Sequence, residues 1–460
     1  MLELETTEWQ ALDDRFYLHP FTDHRALRVQ GARIVERAEG VYIWDTDGRK
    51  VLDGLAGLGC VSLGYGRRDI SSVAAAAMDR LSFAHSFFKS TNKEAIELAA
   101  KLTEIAPPNF EHVFLSTSGS EANETAIRMI RTFWSFRGKP DKRVLIGRDH
   151  AYHGSTAATQ SLGTFPEDLG ASWGVPLPGY DHIGCPDYYE LGGTCSESVF
   201  GLIAAGWLEK KILEIGEDKV AAFFAEPMQG AGGAIVPPEN YWREIDRICK
   251  KYDVLLVADE VLTGIGRTGH MWASVGYGAM PDIITTAKGL TSAYAPLSAT
   301  IASNRIGEAL VASEGPWLHG FTYSGHPMCC AVALKVLGII ESEGLVQRVH
   351  DDIGPYFERA ITSLLDHPLV GDARARGLFA GIKLVENKDL KQPFDAGKGV
   401  GIWCMDWAIN NGVALRAIGD TILLAPSLVI THDEIDELVA LARKAFDATA
   451  AHFGAVGETA

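Results

Sequence analysis

Between about residues 60 and 325, short apolar runs recur at intervals filled by longer stretches with helical spacing. The runs include Val113-Phe114-Leu115, Val144-Leu145-Ile146, Ala221-Ala222-Phe223-Phe224, Val254-Leu255-Leu256-Val257-Ala258, Ile283-Ile284 and Ala299-Thr300-Ile301. Uninterrupted apolarity marks strands buried on both faces, and the helices between them predict crossovers, so the expected class is α/β with a mainly parallel sheet. Before this region, Val41 to Asp53 reads as a hairpin turning at Asp47-Gly48. After Ser324-Gly325-His326-Pro327 comes a long helical stretch, followed by strand candidates at Gly377 to Leu384 and Thr421 to Pro426. These predict a smaller α+β domain. The expected division is 1–59 as an N-terminal segment belonging to the small domain, 60–325 as the large domain and 326–460 as the C-terminal small domain. At 460 residues the chain exceeds the roughly 250–300 at which one core stops growing, which also argues for two domains.

Two of the apolar runs end abruptly in charge. Val254 to Ala258 leads into Asp259, and Ile283-Ile284-Thr285-Thr286-Ala287 leads into Lys288. Parallel strands deliver such residues to the carboxyl edge of a sheet, where ligands bind. An acid and an amine at neighbouring strand ends are the groups that pyridoxal phosphate chemistry requires, one for the ring nitrogen and one for the aldehyde. A third strand, Val113-Phe114-Leu115, runs into Ser116-Thr117-Ser118-Gly119-Ser120-Glu121-Ala122-Asn123 and then a helical pattern. Free backbone N–H groups and the helix dipole favour a phosphate there, with Gly119 and Ser120 at the turn and hydroxyl donors from Ser118 and Ser120. An ordinary N-cap by Ser118 or Ser120 accounts for the same residues.

Composition narrows the classes. With 42 Lys and Arg against 59 Asp and Glu, the net charge of −17 opposes binding to nucleic acid or an anionic membrane. Seven scattered cysteines without C-x-x-C spacing read as reduced thiols, not a metal or redox site, and no metal ligands are expected. The acidic start, Met1-Leu2-Glu3-Leu4-Glu5, lacks the features of a secretory signal, and no apolar run approaches about 18 residues. A cytoplasmic protein is expected.

Taken in chain order, Ser118 to Asn123, Tyr152-His153-Gly154, Glu226-Pro227-Met228-Gln229-Gly230, Asp259 to Gly269, Ala287-Lys288-Gly289-Leu290 and His319 to Pro327 resemble the class III aminotransferases of the fold type I pyridoxal phosphate superfamily. The resemblance covers nearly the whole chain and is closest to the omega-amino acid and amine:pyruvate branch. It implies that Lys288 holds the cofactor and moves a proton between substrate and cofactor, and that Asp259 keeps the ring nitrogen protonated. Tyr152 and Val261 would lie on opposite faces of the ring, Glu226 near its phenolic oxygen, and His153 in a structural role. Thr322 would reach the cofactor phosphate from a partner subunit, which implies an obligate homodimer with shared active sites, alone or within a tetramer.

The same resemblance implies substrate residues. Arg416 matches a mobile arginine that grips a carboxylate and swings outward for an uncharged amine. Ala231 stands where the ornithine and 4-aminobutyrate branches carry a glutamate that pairs with this arginine. Gly59 stands where many amine:pyruvate enzymes carry a tryptophan, so it either widens the pocket or serves as a turn glycine. Phe21, Phe87 and Phe88 complete the pocket candidates, although paired phenylalanines are by default core packing. The implied reaction is ping-pong transamination of primary amines or omega-amino acids with pyruvate or a similar 2-oxo acid. Decarboxylation of a dialkyl amino acid, an intramolecular amino shift, or noncatalytic cofactor binding are the alternatives on this scaffold.

Overall fold

The computed structural model describes residues 4–164 and 174–454. Its centre is a seven-stranded sheet in the order His112–Ser116, Ser298–Ala302, Ile283–Thr286, Leu255–Asp259, Val220–Ala225, Val144–Arg148, Tyr180–Ile183. Only Ser298–Ala302 runs antiparallel to its neighbours. The reason the strands read as continuous apolar runs is visible in Val220–Ala225. Phe223 faces a core with Phe200, Leu208 and Trp242, while Phe224 faces another with Ile127, Ile130 and Phe133. Both faces are covered, so neither position tolerates a polar side chain.

The predicted hairpin forms, with Tyr42–Asp45 antiparallel to Lys50–Asp53 and Gly48 at φ 76° in the turn. Val35–Glu39 adds an edge strand that the sequence pattern does not announce, because it is charged and mostly exposed. Val413–Ala414 joins the other side in parallel pairing with Lys50–Asp53. A second four-stranded sheet is antiparallel, in the order Val370–Ala375, Ala380–Leu384, Thr421–Leu424, Arg416–Ile418. Gly377-Leu378-Phe379, expected within a strand, instead forms the turn into Ala380–Leu384, with Gly377 at φ 57°. The chain passes from one sheet to the other at Leu415, immediately before Arg416.

Arg267 pins these parts together. It is almost fully buried and donates to the carbonyls of Gly59 (3.4 Å), Leu378 (3.2 Å) and Pro426. With no carboxylate to support the charge, burial pulls its pKa down to about 10. The three carbonyls come from segments far apart in sequence and can be satisfied only by a fork-shaped donor. Arg267→Met should therefore lower the unfolding free energy by about 2–4 kcal/mol, read from denaturant melts. A loss under about 0.5 kcal/mol would show that the carbonyls find other partners.

Candidate active site

Asp259 lies opposite Thr285 in the parallel register of neighbouring strands, and Lys288 follows three residues later at the same edge. His112–Ser116 pairs antiparallel with the one reversed strand, so it runs in the same direction as Ile283–Thr286 and delivers the helix Gly119–Phe136 to this edge too.

Asp259 is 4% exposed and accepts three hydrogen bonds. Its Oδ2 accepts from Asn123 Nδ2 at 2.8 Å and from His153 Nδ1 at 2.7 Å, and its Oδ1 accepts from the Val261 N–H at 3.1 Å. Since a carboxylate only accepts, His153 carries its proton on Nδ1. Its Nε2 is buried without a hydrogen-bond partner among the described residues. The bond from the Val261 N–H also lets Asp259 cap the turn that follows its strand. Sequence reasoning set His153 aside as structural and gave Asn123 no role; the available signal was that Asn123 falls one helical turn after Gly119.

Lys288 sits at φ 40°, in a region that β-carbon sterics disfavour, and such strain at a strand end is a mark of a functional position. Burial pushes its ammonium pKa below the ordinary lysine value, and the carboxylates of Asp259 and Glu226 oppose that shift only in part. Glu226 is buried, which raises its pKa. Its two oxygens accept from the Tyr152 N–H (3.2 Å) and the Gly230 N–H (2.7 Å).

At the helix entrance, Ser118 is the N-cap, accepting from the Glu121 N–H at 3.2 Å, and Ser120 Oγ accepts from the Ser155 N–H at 3.1 Å. These bonds use oxygen lone pairs and leave both hydroxyl hydrogens for a ligand, so cap and phosphate readings are compatible. A β-carbon on Gly119 would stand 3.2 Å from the Val261 methyls, so glycine lets the helix approach the residue that follows the acid.

Tyr152 Oη pairs with Ser155 Oγ at 2.9 Å, and its ring meets the largely exposed Phe21 edge-on at 6.0 Å. Arg416 opens the strand Arg416–Ile418. It is half-buried, and burial lowers its pKa. Ala231, half-buried, follows Gly230. Gly59 is buried at φ 70°, and a β-carbon there would lie 2.3 Å from Leu262 Cδ1. The turn requirement is therefore real, and Leu262 occupies the space into which a side chain at 59 would first project.

Phe87, Phe88 and Thr322 form a separate group. Phe87 packs where a Gly320 β-carbon would lie 2.8 Å from its ring, beside the exposed Thr322. Phe88, 91% exposed, contacts Phe87 and His85.

The donor set fits pyridoxal phosphate: a helix entrance with spare hydroxyl hydrogens for the phosphate, a buried acid, an aromatic ring and an amine of lowered basicity. Residues 25–446 match the family model for class III aminotransferases. The chain is 48% identical over 447 residues to a putrescine–pyruvate aminotransferase from Pseudomonas aeruginosa, covering 97% of each. The chain belongs to the class III aminotransferases. These enzymes exchange amino and oxo groups with pyridoxal phosphate as cofactor. The fold superposes with a TM-score of 0.94 on an omega-transaminase from Pseudomonas jessenii in complex with PMP, pyridoxamine phosphate, at 38% identity over 97% of this chain and 99% of that one. An equal TM-score and identity, over 96% and 99%, relate it to a thermostable omega-transaminase with a tryptophan-to-glycine change, engineered for asymmetric synthesis of enantiopure bulky amines. No helix among the described residues of this aminotransferase is long and apolar enough to cross a membrane, and its seven cysteines are unpaired.

A lysine of lowered pKa is neutral, and therefore nucleophilic, at lower pH than an exposed one. Capture of pyridoxal phosphate by the cofactor-free aminotransferase, trapped with borohydride, should have its pH midpoint below the ordinary lysine value of 10.5. A midpoint at or above that value would contradict the placement of Lys288.

Proposed function

We propose that this aminotransferase moves the amino group of primary amines or omega-amino acids to pyruvate, or a similar 2-oxo acid, in a ping-pong cycle. The observation that carries this reading is Arg416, a half-buried cation opening the strand Arg416–Ile418 just where the chain passes between the two small sheets. Ala231 leaves it without the glutamate partner expected for ornithine or 4-aminobutyrate enzymes. The relative named for putrescine and pyruvate supports the same substrate pair.

When bound, pyridoxal phosphate supplies an aldehyde that takes up the amino group and a ring that withdraws electrons from the carbon being deprotonated. The neutral Lys288 Nζ would hold the cofactor and serve as the proton carrier on the substrate side. Asp259 would hold the proton of the ring nitrogen, Tyr152 and Val261 would pack against the ring, and Glu226 would serve its phenolic oxygen. The N–H groups and hydroxyls around Gly119 and Ser120 hold the phosphate. Arg416 grips the pyruvate carboxylate through paired hydrogen bonds and turns outward when the substituent is uncharged. Phe21, Gly59 and Ala231 bound the amine site.

The exposed Thr322 and Phe88, with the half-buried Phe87 beside them, support a homodimer in which this cluster completes the partner's site; pairs of dimers would give a tetramer. Residues 60–325 then form the cofactor-binding domain, while 1–59 and 326–460 form the small one, a division supported by the pairing of Val413–Ala414 with Lys50–Asp53. A cytoplasmic location agrees with these substrates.

An amine panel tested with pyruvate and with 2-oxoglutarate should show alanine formation from diamines and monoamines. Turnover confined to 2-oxoglutarate would overturn the acceptor assignment. Arg416→Ala should lower kcat/KM for pyruvate by about 30- to 100-fold and for a neutral amine far less, since a charge-assisted bidentate contact is lost. Equal losses would remove Arg416 from carboxylate recognition. Gly59→Trp should lower the kcat/KM ratio of bulky to small amines by about tenfold or more, apart from any loss of stability from the contact with Leu262. An unchanged ratio would leave Gly59 as a turn residue alone.

A further inference from the structure

We propose that Asn123 is a positioning residue that fixes the plane of the Asp259 carboxylate and aims one lone pair at the cofactor's ring nitrogen. This rests on the reading of Asp259 given above. Asn123 is 1% exposed, one turn into the helix Gly119–Phe136. Its carboxamide has every function engaged. Nδ2 donates to Asp259 Oδ2 and to the His153 carbonyl, both at 2.8 Å, and Oδ1 accepts from Thr285 Oγ1 at 2.8 Å. Reversing the amide would set its oxygen against two acceptors, the Asp259 carboxylate and the His153 carbonyl, and lose both bonds, so its orientation is fixed.

Counting acceptor sites identifies the consequence. A carboxylate offers about four lone-pair positions. On Asp259, Oδ2 is filled by Asn123 and His153, and Oδ1 holds only the 3.1 Å bond from Val261. One position on Oδ1 remains, and a ring N–H is the donor suited to it. Without Asn123 the carboxylate would keep one bond on each oxygen, from His153 and from the longer Val261 contact. Asn123 adds the second restraint on Oδ2 against rotation about χ2. Thr285 anchors the device to the sheet, because it is the residue directly opposite Asp259 in the strand register. The carboxamide also rides on the helix whose entrance faces the phosphate, so phosphate and ring recognition are joined through one side chain.

The test compares affinities of the full-length cofactor-free protein for pyridoxamine phosphate and for its 1-deaza analogue, in which C–H replaces the ring nitrogen. Wild type should prefer pyridoxamine phosphate by about tenfold or more, as expected for a charge-assisted bond. Asn123→Ala should reduce that preference to about twofold or less, and Thr285→Val, which conserves shape and frees only the amide, to an intermediate value. A merely structural role would weaken both ligands alike, leave the ratio at its wild-type value and overturn the proposal. If Asn123→Ala does not fold, Thr285→Val decides, and a wild-type ratio in it overturns the proposal as well. Asp259→Ala separates the two levels. A preference that survives in it refutes the Asp259 reading itself, while a preference lost there but kept in the other two variants refutes the Asn123 inference alone.

Discussion

The parallel register between Leu255–Asp259 and Ile283–Thr286 is the constraint on which the site depends. It sets Asp259 opposite Thr285 and brings Lys288 to the same edge, so acid and amine are spaced by backbone hydrogen bonds. A shift of one residue would turn both strands' side chains to the opposite face, and the cores on both sides of the sheet forbid it. The chemistry is therefore held in place by packing that takes no part in it. Leu256 and Val257, buried on opposite faces, are as necessary to the position of Asp259 as its hydrogen bonds.

The site also shows how charge is managed at low exposure. Asp259 keeps its carboxylate among three N–H donors, whereas Lys288 and Arg416, both half-buried, have no hydrogen-bonded counter-ion among the described residues, and desolvation shifts both toward their neutral forms. For Lys288 that shift serves nucleophilicity. For Arg416, whose guanidinium stays charged throughout the ordinary pH range, the same desolvation strengthens attraction for an incoming carboxylate.

Legibility in the sequence followed burial. Strands covered on both faces, such as Val220–Ala225, read as apolar runs, and a charged residue at the end of such a run stood out. Edge strands did not. Tyr180–Ile183 and Val35–Glu39 carry polar residues because one side meets solvent, and Gly377-Leu378-Phe379 is apolar although its backbone serves a turn held by Arg267. Within the site, Asp259 and Lys288 were identifiable from pattern, but Asn123 and Leu262 were not. Their partners lie on other elements, and neither asparagine in a helix nor leucine after a strand is unusual. The candidates Phe87, Phe88 and Thr322 were named with the rest; Phe87 packs against Phe88 and Gly320, whereas Phe21 meets Tyr152.

The central claim is that one lysine, at the end of one strand, holds the cofactor. Peptide mapping of the protein after borohydride reduction in the presence of pyridoxal phosphate tests it most directly. The account predicts a single modified peptide, with the label on Lys288; a label on another lysine, or none on this one, would contradict it.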